Sequence, residues 1–136
     1  MAKASGTWQT DSPVGRAWRW RQPQCGLPGP EARHLQERGV TYVCVSLGGD
    51  GAILVGPEKA CHATAPQVQV RSTVGAGDAL LAGLVAAFAQ DQDLADALRL
   101  GICCGSGTAE QPGTGLFTRQ RVHDLMNHVD IDPLDI

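Results

Sequence analysis

Ser72-Thr73-Val74-Gly75-Ala76-Gly77-Asp78 is the stretch from which the rest of this chain is read. Upstream, Val68, Val70 and the pair Thr73-Val74 are apolar and β-branched, which predicts the end of a strand. Downstream, Ala79 to Phe88 is strongly apolar and predicts a helix that Asp78 opens. Gly75-Ala76-Gly77 joins the two with almost no side-chain bulk. The first N–H groups of a helix have no intrahelical acceptor, and the macrodipole adds positive potential there. Such a turn suits an anion, above all a phosphoryl group, and its glycines allow close approach. Asp78 places a carboxylate beside the same spot, where it can orient a hydroxyl and take its proton. Phosphoryl transfer needs that pairing of charge cradle and positioned base. A plainer reading stands beside it: an Asp in a first helical turn is often only a cap, and glycine turns are ordinary connectors. Spacing alone leaves both open.

Three further stretches accompany the first: Ser46-Leu47-Gly48-Gly49-Asp50-Gly51-Ala52, Gly105-Ser106-Gly107-Thr108 and Gln111-Pro112-Gly113-Thr114-Gly115. Together they resemble the PfkB (ribokinase-like) carbohydrate kinases, in the phosphofructokinase branch. The stretch from Ser46 is similar to that branch's nucleotide turn, and the other two to its later helix and adenine-side loop. The ending Val129-Asp130-Ile131-Asp132-Pro133 is similar to that of bacterial 1-phosphofructokinases. The resemblance runs from about Pro30 to the C-terminus. It implies the C-terminal portion of a ribokinase-like three-layer α/β/α sandwich. It also implies Asp78 as proton acceptor, Gly75, Ala76 and Gly77 as anion hole, and Ser46, Leu47, Gly48, Gly49, Asp50, Gly51, Gly77 and Asp78 against the nucleotide. The implied reaction moves the ATP γ-phosphoryl group, with Mg2+, to a phosphosugar hydroxyl. Fructose 1-phosphate giving fructose 1,6-bisphosphate is the first choice; tagatose 6-phosphate or fructose 6-phosphate needs similar machinery.

Family members are longer, and the part that carries their sugar contacts has no counterpart here. Arg71, Arg99, Arg119 and Arg121 are scattered and match no sugar-phosphate role. The chain resembles the nucleotide side of such a kinase. A reading of another class follows: a non-catalytic nucleotide-binding or self-associating fragment, since a cut α/β domain exposes a sheet edge and apolar surface.

The 136 residues allow at most one compact domain, and 43% apolar with 18% charged residues describes a globular chain. A net charge of −3 argues against nucleic acid, so an anionic substrate needs local groups rather than a global field. Cys25, Cys44, Cys61, Cys103 and Cys104 form no CxxC pair and read as reduced core thiols, with the cytoplasm as the expected compartment. Cys103 and Cys104, adjacent on a helix, point about 100° apart and are poorly placed to pair. His34, His62, His123 and His128 lack metal-ligand spacing, so no protein-held metal is expected. No apolar run has the length of a membrane span, and no signal-peptide pattern opens the chain.

Residues 1–29 mix Gly, Pro, Ser, Arg and Trp without periodicity and are expected to be irregular; 30–136 form the kinase-like part. Pro30 to Arg38 predicts a short helix ending at Gly39, and Val40 to Ser46 a strand buried on both faces. Leu47 to Gly51 turns into a second strand, Ala52 to Val55, and Ala60 to Thr64 has the character of an edge strand. Gln67 to Arg71 alternates polar and apolar residues toward the central motif. Ala79 to Gln90, apolar almost all round, predicts a deeply buried helix. Asp93 and Thr118 are expected to cap the next two helices, and the tail after Asp130 to be irregular.

Overall fold

The computed structural model describes residues 7–10, 18–21 and 28–135. Within the first 29 residues two short strands, β1 (Thr7–Thr10) and β2 (Trp18–Arg21), pair antiparallel with Trp8 opposite Trp20. The sequence predicts irregular chain over this stretch; Trp on both arms and Thr on the first are residue types that favour extended backbone. Cys25 lies outside the described residues.

Helix α1 (Pro28–Glu37) ends at Gly39, whose φ of +101° is the turn-off that glycine tolerates. Four strands follow in an antiparallel sheet of order β3-β4-β5-β6: β3 (Val43–Ser46), β4 (Ala52–Val55), β5 (Ala60–Ala63) and β6 (Ile131–Leu134). Side-chain alternation divides it into two faces. Ala52, Leu54, Cys61 and Ala63 look toward the helices after β5, with Cys44 packed against them. Ile53, Val55 and Ala60, with Val43 and Val45 beside them, look the other way and join Ala32 of α1. The sheet is thus the middle of three layers.

Three of the strand expectations are corrected. β3 is an outer strand, half-buried rather than buried on both faces. β5 is an inner strand, buried at all four positions, because the tail pairs with it as β6. Pro133 is tolerated in β6 because that strand is the other edge, where one N–H is dispensable. The stretch before the glycine motif forms no strand either: Arg71 and Ser72 donate their N–H groups to the Ala109 carbonyl, at 2.8 and 3.2 Å, instead of to a sheet.

Helix α2 (Ala76–Ala89) and helix α3 (Leu94–Ala109) pack closely along their lengths. The approach rests on glycine, for a Cβ at Gly83 would lie 2.8 Å from the Gly101 Cα, and one at Gly101 2.9 Å from the Leu80 carbonyl oxygen. α3 lies between α2 and the sheet and is the more buried. α2 corrects the expectation of all-round burial. Ala79, Gly83, Leu84 and Ala87 are covered, while Leu81 and Val85 are each 58% exposed. Asp93 caps α3 by accepting the Asp96 N–H at 2.9 Å, as its position predicted. Thr118 does the same for α4 (Arg119–Leu125) through the Arg121 N–H.

Candidate active site

The glycine motif becomes the entry to α2. Gly75 is the N-cap, in the left-handed region at φ +80°, and a carbonyl bond from Ala79 N–H at 2.9 Å closes the first turn. Of the N–H groups expected to form the anion hole, that of Ala76 is already given to the Thr73 carbonyl at 3.3 Å. Those of Gly77 and Asp78 precede the first i→i−4 acceptor and stay available, as at any helix start. Asp78 stands in the first turn, exposed. The place has the parts for an anion: free N–H donors, the positive end of a 14-residue helix, and a left-handed Gly75 at its cap.

The end of α3 holds this turn in place and joins two of the other motifs to it. A Cβ on Gly105 would stand 3.1 Å from the Ala76 carbonyl oxygen, so the small residue lets the first turn of α2 rest on α3. Thr108 borders Gly75, and Ala109 carries the incoming chain at Arg71 and Ser72. Gln111 to Gly115 leaves directly from there as a loop, with Gly113 at φ +61°. An Arg121 guanidinium, bidentate on Glu110 at 2.7 and 2.5 Å, ties α4 to the same corner and holds the Glu110 carboxyl below its usual range. Arg99 is paired with Asp96 at 2.7 Å, so two of the four arginines weighed for a sugar phosphate are already engaged.

Ser46 to Gly51 sits on different neighbours. It links β3 to β4 through a 3₁₀ turn, Gly48–Asp50, as a hairpin connection. Gly51 cannot carry a side chain: its φ is +94° and a Cβ would lie 1.8 Å from the Ala63 carbonyl oxygen. The Asp50 carbonyl receives a hydrogen bond from Nε2 of His62, at 2.9 Å. Among the described residues no hydrogen bond joins this turn to the Gly75–Asp78 turn. A separate cleft of about 300 Å3, lined by Tyr42, Glu58, Lys59, Phe88 and Asp93 among others, lies at the opposite end of α2.

His62 and Thr108 are the two residues near these turns that the sequence reading left without a role. A single polar residue in the apolar run Ala60–Ala63 was the signal for the first. Nothing local distinguished the second. Cys44, Cys61, Cys103 and Cys104 are free thiols, as expected. Burial raises Cys44 and Cys61 to about 11 and Cys103 to about 12, which keeps them protonated and inert.

The fold is ribokinase-like α/β: ribokinase from Thermotoga maritima superposes with a TM-score of 0.66 at 23% identity, over 72% of this chain and 34% of that one. Residues 30–121 match the model of the pfkB family of carbohydrate kinases, and the chain belongs to that family. It is 40% identical over 98 residues to the 1-phosphofructokinase of Bacillus subtilis, covering 71% of this chain and 32% of that protein. The 1-phosphofructokinase of Escherichia coli K12 is 34% identical over 106 residues, 77% of this chain and 34% of the relative. Among solved structures, Escherichia coli phosphofructokinase-2 in complex with substrates and products superposes with a TM-score of 0.70 at 29% identity, over 74% of this chain and 33% of that one. The chain spans about one third of the length of the curated relatives it matches.

Proposed function

We propose that this chain is the nucleotide side of an ATP-dependent phosphosugar kinase. The observation that carries the reading is the start of α2 at Ala76, with Gly75 left-handed and Asp78 exposed in the first turn. The N–H groups of Gly77 and Asp78 would meet the charge that develops on the transferring phosphoryl group, and Gly75 would keep the approach open. Ala76, whose N–H is held by Thr73, contributes by shaping the turn. Asp78 would orient the acceptor hydroxyl and receive its proton late, as a loose transition state permits. Magnesium would arrive with ATP and neutralise its phosphates. The Ser46–Gly51 turn, with Gly48, Gly49 and Asp50, is assigned to the nucleoside, and fructose 1-phosphate to the acceptor.

The test is product formation from fructose 1-phosphate and Mg-ATP, with Asp78→Asn alongside. General-base removal is expected to lower turnover by about 10²-fold or more while ATP affinity stays within about twofold. An equally active Asp78→Asn enzyme would remove the base assignment. A second reading, a nucleotide-binding fragment without turnover, is favoured by the exposed apolar face of α2, where Leu81 and Val85 lie uncovered. Calorimetric ATP binding without product selects it.

A further inference from the structure

Thr108 is 1% exposed, and its hydroxyl is a buried side-chain oxygen that no group among the described residues satisfies. An unpaired buried hydroxyl costs about 1–3 kcal/mol, so in a purely structural position valine, of the same shape, would be the better residue. A helical threonine commonly returns its hydroxyl to the carbonyl one turn back, and this one does not. Its place in the fold is specific: Thr108 Cγ2 is the nearest non-neighbouring atom to where a Gly75 Cβ would stand, at 4.0 Å. The next residue, Ala109, carries the chain that enters the turn. The orphaned hydroxyl thus sits on the same Cβ as the methyl that borders Gly75, the N-cap of α2.

A peptide plane couples its two polar groups, because N–H and C=O point in opposite directions. Turning an N–H of the turn toward an anion sends the adjoining carbonyl the opposite way, where it needs a donor of its own. We propose that Thr108 is a positioning residue for phosphoryl binding, its hydroxyl donating to a carbonyl of the Val74–Gly75–Ala76 segment when the turn closes on the anion. The inference rests on the phosphoryl-binding reading of that turn, and extends it to a residue that touches neither nucleotide nor sugar.

The experiment compares the unmodified chain, Thr108→Val and Thr108→Ser by calorimetry with Mg-ATP and by thermal unfolding without ligand. Thr108→Val is expected to lose about tenfold in affinity, the scale of one hydrogen bond made only in the bound state, with its unfolding midpoint unchanged or raised. Thr108→Ser, which keeps the hydroxyl, is expected to bind within about twofold of the unmodified chain. Thr108→Val binding Mg-ATP as tightly as the unmodified chain overturns the proposal. So does a loss in Thr108→Ser as large as that in Thr108→Val, or a Thr108→Val loss that merely tracks a lowered midpoint. An unmodified chain that binds no Mg-ATP overturns the nucleotide reading itself and this inference with it, an outcome distinct from the others.

Discussion

His62 stands in the middle of an inner strand with its imidazole 2% exposed and Nε2 donating to the Asp50 carbonyl. Burial, the largest influence, lowers its pKa from the ordinary value of 6.5, against the opposing pull of the Asp50 carbonyl and of Asp132 and Asp50. The folded protein thus holds His62 neutral where the unfolded chain binds a proton. The stabilisation is fully present above about pH 6.5 and declines as pH falls through the window down to the lowered folded value. Each unit of displacement is worth about 1.4 kcal/mol. Urea unfolding at pH 7.5 and 5.5 is expected to show a loss of stability on acidification that His62→Gln reduces; an unchanged pH dependence in that variant would refute the assignment. At this scale the sequence was legible where the partner is local. Asp93 and Thr118 were readable as caps because each bonds an N–H three residues on. His62 and Thr108 were not, since their surroundings come from chain segments far away in sequence.

At the scale of elements, the α2–α3 contact sets where the glycine turn sits, since Gly83, Gly101 and Gly105 bring the two helices to backbone contact. Gly101→Ala puts two effects in opposition. Helix propensity favours alanine by about 1 kcal/mol. The added methyl, however, would meet the Leu80 carbonyl oxygen at 2.9 Å and Leu84 Cγ at 3.1 Å, and overpacking of that kind costs about 1–3 kcal/mol. Net destabilisation is expected, read as a lower urea midpoint at unchanged slope; a more stable Gly101→Ala would show that the helices part freely. The helices were legible from apolar spacing, with the start of α2 misplaced by only two residues. The segment before the motif was not, because β-branched alternation says nothing about the Ala109 carbonyl that takes its N–H groups. The tail was misread for a related reason: Pro133 argued against a strand, and only the long-range partner β5 makes it an edge.

For the whole molecule, the three layers are complete around β4 and β5, and among the described residues nothing covers β3's outer edge or the exposed face of α2. Cys44 of β3 and Phe88 of α2 belong to one cluster, and Tyr42 stacks on Phe88 at 4.4 Å, so the two open features adjoin. The family resemblance was legible because its motifs are short and contiguous. Exposure of α2 was not, since an apolar helix declares that something covers it without saying what. Self-association through this side is expected at micromolar concentration, measured by sedimentation. Leu81→Glu with Val85→Lys should shift the chain toward monomer, and association unaffected by that pair would place the contact elsewhere.

The unlike ends of the sheet limit what such association can become. β6 ends the ladder with Pro133 and Asp132, whereas β3 offers Val-Cys-Val-Ser with neither charge nor proline. Two copies joined along β3 would each turn a proline-bearing strand outward. Growth would then be self-terminating, halting at a closed pair instead of propagating into a fibre.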